Sequence, residues 1–137
     1  MRDHGALVRL LDARARMPFA GLPEHAVCIL VAALAVQTQT GRDPLRGLRR
    51  RLKTPLGSQR LLAELGGLRA AVTSRLGAEI PTATAARGDI VLIGEPWCAG
   101  EFLALVEGAT LVAAGETGWT RYPRAAAVTA WNAEGSA

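Results

Sequence analysis

Aromatic residues are scarce in this chain: two Phe, one Tyr and three Trp, about 4% of 137 residues. Half of the residues are hydrophobic and many of those are alanine, so closely packed helices are expected rather than a deep aromatic pocket. Cysteine and histidine are scarcer still, with two of each. Cys28 and Cys98 are too few for a disulfide scaffold and form no CxxC pair. With His4 and His25 they show no zinc-ligand spacing. No metal and no other cofactor is expected. Long apolar runs are also missing. The longest, Ala26 to Val36, has 11 residues, against roughly 20 needed to cross a bilayer, so it reads as a buried helix and membrane insertion is not expected. Met1 is followed by Arg2, Asp3 and His4 and then by an amphipathic segment. This does not fit an export signal, and synthesis in the cytoplasm is expected.

Charge is present but unevenly placed. The formal net charge is +4, yet residues 1–60 hold 11 basic and 4 acidic side chains while residues 61–137 hold 5 and 8. Such polarity suits nucleic acid, an acidic partner, or head-to-tail assembly of copies, and the count alone does not choose among them. A length of 137 residues supports one core, and a single domain over 1–137 is expected.

Periodicity divides that domain into a helical part, 1–80, and a part with antiparallel strands and a closing helix, 87–132. Asp3 is placed to cap a first helix with Leu7, Leu10, Leu11 and Ala15 on one face, ended by Pro18. A loop from Phe19 to Pro23 leads to an apolar helix from about Glu24 to Thr38, with Glu24 in its first turn and Gly41 at its end. Apolar on every side, this helix belongs at the centre. Gly41 to Pro44 reads as a turn, Leu45 to Leu52 as a short basic helix stopped by Pro55 and Gly57. Ser58 is placed to cap the next helix, which Gly66 and Gly67 stop, and another runs from Leu68 to Leu76. Ile80 to Ala86 reads as a connector. From Asp89 the pattern becomes β: Ile90 to Ile93, a hairpin of Glu101 to Val106 and Thr110 to Ala114 turning at Glu107-Gly108, and a short strand Trp119 to Tyr122. Pro123 is placed to open a terminal helix through about Asn132. The fold class is α+β, with N-terminal helices and a central buried helix packed on a small C-terminal antiparallel sheet.

A cysteine near the start of a helix has a physical reason to be a nucleophile, because the helix N-terminus favours the thiolate. Cys28 has that address. Set against it is a small buried side chain among Ile29, Leu30 and Val31, the better-weighted reading because free cysteine is among the most buried residue types. The thiol also needs a base. Both histidines lie upstream; His25, three residues before Cys28, can neighbour it only locally. His4 reads as a solvated first-turn residue and His25 as a capping or surface residue. Gly66-Gly67 fits no phosphate loop. Arg87-Gly88-Asp89 matches an adhesion tripeptide but stands where a turn enters a strand, and is read as structural. The basic run Arg46, Arg49, Arg50, Arg51 and Lys53 could contact phosphates. It has no aromatic neighbours for stacking, so a solvated or protein-contacting face is preferred to nucleic acid.

Several phrases together resemble a family of small NlpC/P60-like, papain-like proteins of tailed bacteriophages and gene transfer agents. They are Arg16-Met17-Pro18-Phe19-Ala20 ahead of the Cys28 helix, Thr40-Gly41-Arg42-Asp43-Pro44 after it, Arg87-Gly88-Asp89 leading into Ile90-Val91-Leu92-Ile93, and Trp131 near the end. The resemblance implies an NlpC/P60-like fold and a setting in the virion tail, at the tail tip or baseplate, with other tail or baseplate proteins as partners. Catalytic members usually carry an aspartate before the cysteine, where Ala26 and Val27 stand here, and a histidine opening the second strand, where Phe102 stands. The expected function is therefore a structural or assembly component with a catalytically inactive domain. The alternatives are a cysteine peptidase acting on cell-wall peptidoglycan, with Cys28 as nucleophile and His25 or a partner-supplied base, and a nucleic-acid-binding module using residues 46–53.

Overall fold

The computed structural model describes residues 2–15, 26–97, 100–115 and 118–135. Pro18, the Phe19 to Pro23 loop, Glu24, His25 and Cys98 lie outside the described residues. Within them the chain forms four α-helices and a five-stranded antiparallel sheet, an α+β fold with its helices first.

Helix α1 spans His4–Ala15. As expected, Asp3 caps it: its Oδ1 accepts the Ala6 N–H at 2.9 Å. Helix α2 spans Val27–Thr40 and buries Val31, Ala32, Ala33, Ala35, Val36 and Gln39. The Gly41 N–H closes it on the Gln37 carbonyl at 2.8 Å. Its central place follows from having no polar face: α1 packs on one side and the sheet on another.

Residues 44–52 do not make the expected α-helix. They form turns and a single 3-10 turn, Arg49–Leu52. Gly47 explains the break, since its φ of +83° is left-handed and no α-helix continues through it. Pro55 opens α3 (Pro55–Leu65) rather than ending the preceding segment, and Thr54, not Ser58, is the cap, accepting the Gly57 N–H at 3.0 Å. Proline suits a first helical position because its missing N–H would be unpaired there anyway. Ser58 is instead buried, with its hydroxyl 3.5 Å from the Leu52 carbonyl it faces. Helix α4 spans Leu68–Leu76. The connector holds a 3-10 turn at Thr82–Thr84.

The strands are β1 Ile90–Ile93, β2 Phe102–Val106, β3 Thr110–Gly115, β4 Gly118–Pro123 and β5 Ala127–Trp131, in the order β4-β3-β2-β1-β5. The closing helix expected over Pro123 to Asn132 is absent: one 3-10 turn at Arg124–Ala126 is followed by strand β5. The proline start signal is spent in that turn. Val128, Thr129 and Trp131 favour a strand, and β1 has a free edge for them, with Ile90 opposite Trp131 and Val91 opposite Ala130. Pairing on both sides makes β1 the middle of its half of the sheet, with all four residues buried.

Alternation along the strands separates two cores. Ile90, Leu92, Leu103, Leu105, Val112 and Trp131 face α2 and α4, meeting Ala32, Ala35, Val36 and Leu76. Val91, Ile93, Ala104, Val106, Leu111 and Ala130 face the other way, under Ala85, Ala126, Ile80, Phe102 and Tyr122. A third cluster joins Ala26 and Ala33 of α2 to Leu45, Leu52 and Leu61. Trp131, fully buried, ties the sheet to α4 by donating its indole N–H to Thr73 Oγ1 at 3.0 Å.

Candidate functional site

Cys28 is the second residue of α2, behind an N-terminal residue, Ala26, that offers no side-chain cap. The helix end therefore does present its dipole to the thiol. The surroundings oppose it. Cys28 lies in a crevice with Val31, Ala32, Leu103, Leu105, Val112 and Trp119. Burial raises its pKa above the ordinary thiol value of 9.0, and the backbone groups of Leu103, Ile29 and Cys28 itself lower it less than burial raises it. At neutral pH the sulfur keeps its proton and is a weak nucleophile.

Period-two alternation decides which sheet residue meets the sulfur. Phe102, the residue in the expected histidine's place, turns to the opposite face and stacks at a tilt on Tyr122, with ring centroids 5.4 Å apart. Leu103 faces the thiol instead. An alkyl side chain holds no proton and cannot act as a base. His4 is exposed at the start of α1 and borders a separate open concavity with Arg2, Asp89, Asn132 and Glu134. The structure thus does not bring His4 and Cys28 into one crevice. Among the described residues no three His, Cys, Asp or Glu side chains gather to hold a metal ion, and no helix is long and apolar enough to cross a membrane.

The basic run is partly neutralised from within. Arg49 donates to Asp43 at 2.9 Å, and the Asp43 carboxyl is held below its usual pKa by that bond. Arg51 forms a two-bond pair with Glu64 at 2.5 and 2.6 Å, which lowers the Glu64 pKa in the same way. Arg46, Arg50 and Lys53 are exposed and make no ion pair within 4.0 Å among the described residues, though Arg46 adds to the lowering of the Asp43 pKa through space. Three cations on one irregular segment make a modest electrostatic surface, smaller than the run of five suggests.

Arg87-Gly88-Asp89 is structural. Asp89 is 2% exposed, and its carboxylate accepts the Ala86 N–H at 2.8 Å, the Ala133 N–H at 3.0 Å and the Arg2 guanidinium at 2.7 Å. Arg2 also reaches the Arg87 carbonyl and Asn132. The start of the chain, the β1 entrance and the end of β5 are tied at one point, which no local pattern around Arg2 discloses.

A family model described as a domain of unknown function, DUF6950, matches residues 1–133. No curated protein and no solved structure matches the chain.

Proposed function

We propose that this chain, which belongs to the DUF6950 family, is a structural or assembly component of a phage or phage-like tail, at the tail tip or baseplate, on an NlpC/P60-like scaffold that no longer cleaves bonds. The observation that carries the loss of catalysis is the apolar wall opposite the sulfur: Leu103, Leu105, Val112 and Trp119 surround Cys28. The tail setting rests on the sequence phrases, which lie within the residues the family model matches. A helix-borne cysteine packed across a small antiparallel sheet is compatible with such a scaffold. Its partners are other tail or baseplate proteins, met through exposed faces such as that of Arg46, Arg50 and Lys53.

Two measurements test this reading. Particles made without the protein should show defective tails by negative-stain imaging; normal, infectious particles would refute the assembly role. Particles carrying Cys28→Ala should remain infectious. Loss of infectivity with intact tails would instead make Cys28 a working nucleophile.

A further inference from the structure

Four large apolar side chains are exposed among the described residues: Val8, Leu56, Trp97 and Val128. Three of them fall into two patches, each edged by charge of one sign. Trp97 and Val128 both border Gly94. The Trp97 N–H donates to the Gly94 carbonyl at 3.1 Å, and a Cβ built at Gly94 would stand 3.6 Å from Val128 Cγ2. The same Cβ would lie 3.7 Å from the Gly100 carbonyl oxygen, so the loop returns to where it left β1. Glu95 and Glu101, next to these two glycines and both exposed, give the patch its acidic edge.

The second patch has the opposite sign. Leu56 and Arg60 are four residues apart on α3, both exposed, and share its outer face. The first turn of α3 packs on the 3-10 turn so closely that Gly57 has no room for a side chain against the Arg51 carbonyl, which sets the exposed Arg50 and Lys53 beside the start of α3. Arg50, Lys53, Arg60, Glu95 and Glu101 make no ion pair among the described residues; Glu101 acts through space on Arg69, which Glu79 already pairs. An apolar centre with a polar, charged rim is the make-up of a protein contact, and tryptophan is a favoured anchor in one. Like charges keep either patch from a copy of itself, whereas each suits the other. The basic patch lies in the positive half of the chain and the acidic patch in the negative half, so every copy supplies both sides of the contact. An unrelated acidic chain would match the basic patch by charge alone; a second copy matches both patches in charge and in apolar content.

We infer that copies of this chain associate by seating the acidic Trp97 patch of one on the basic Leu56 patch of the next. This association does not depend on a place in a phage tail. Sedimentation equilibrium of the whole chain tests it. The average mass should rise with protein concentration up to about 1 mM, and raising salt from about 0.05 M to about 0.5 M should weaken the association at least about tenfold. Trp97→Ala should weaken it by at least about tenfold as well. Lys53→Glu with Arg60→Glu in one variant, and Glu95→Lys with Glu101→Lys in another, should each leave a monomer, and an equimolar mixture of the two should associate again. Restoration in the mixture also shows that both variants are folded. A parent chain that stays monomeric to about 1 mM, association that survives either charge reversal, or a mixture that stays monomeric although both variants unfold at the parent's urea midpoint would overturn the proposal. So would binding of polyglutamate by a chain that does not self-associate, which would give the basic patch to a foreign acidic partner.

Discussion

Replacing Gly88 with alanine puts a methyl group where the Gln39 carboxamide already sits. A Cβ built at Gly88 falls 1.9 Å from Gln39 Oε1, 2.7 Å from Cδ and 3.0 Å from Nε2, and Gly88 itself has φ +92°. Gln39 has little room to withdraw: it is 2% exposed, and its Nε2 donates to the Ala35 carbonyl at 3.1 Å and the Gly88 carbonyl at 3.0 Å. Two effects add. The left-handed backbone costs an alanine about 1–2 kcal/mol, and displacing a buried amide from its partners costs about 1–3 kcal/mol more. Gly88→Ala should therefore lose about 2–5 kcal/mol, a large fraction of the roughly 5–15 kcal/mol that holds a domain folded. Urea denaturation reads this directly, with the midpoint falling by about 1–2.5 M for a slope near 2 kcal/mol/M. The obstacle is one side chain, so in a Gln39→Ala background the same change should cost only the backbone term, about 1–2 kcal/mol. A midpoint shift below about 0.5 M, or strictly additive effects of the two substitutions, would refute this account.

Asp89→Ala removes the acceptor of two backbone N–H groups and takes from Arg2, whose side chain is 10% exposed, its buried carboxylate, leaving it the Arg87 carbonyl, Asn132 and the more exposed Glu134 at 3.3 Å; a loss of about 2–4 kcal/mol in urea unfolding is expected, and a loss under about 1 kcal/mol would show that these donors re-pair. Trp131→Phe deletes the indole bond to Thr73 and part of a fully buried side chain; it should lower stability by about 1–2 kcal/mol and speed amide exchange in α4, and unchanged exchange would deny the α4–β5 tie. Burial raises the Cys28 pKa, so the folded state keeps this proton after the unfolded state has lost it. The stability it contributes is intact below the ordinary thiol value of 9.0 and is lost as pH rises through the folded value. Unfolding at pH 8 and pH 10 should show a smaller alkaline loss in Cys28→Ala than in the parent, and an equal loss would place the effect elsewhere. Iodoacetamide should label the half-buried Cys28 of the folded chain more slowly than an unfolded thiol at neutral pH, and labelling at the unfolded rate would contradict its raised pKa.

Much of this architecture is written in local pattern. The apolar run of α2 has no face suited to water, and it takes the centre. Gly41 ends that helix and Gly66 ends α3, as expected, while the hairpin from β2 to β3 turns at Gly108-Ala109 rather than Glu107-Gly108, with the Glu107 N–H closing on the Thr110 carbonyl at 2.9 Å. Asp89 reads as structural from its place at a strand entrance, and its burial agrees. Residues 44–52 and 123–132 are different, because both carry helix-forming signals that lose to their surroundings. A left-handed Gly47 divides the first, and the free edge of β1 draws the second into the sheet. An edge strand's demand for hydrogen bonds is not visible in the segment that meets it.

The sequence by itself determined the class of fold, the helix that carries Cys28 and the places of four strands along the chain, because hydrophobic period, caps and turns act over a few neighbouring residues. Tertiary structure alone decided that Leu103 rather than Phe102 faces the sulfur, that Arg2 closes on Asp89 and that β5 completes the sheet. Those outcomes depend on sheet register and on contacts between residues as much as 87 positions apart. A one-residue change of register would turn every strand side chain to the other face.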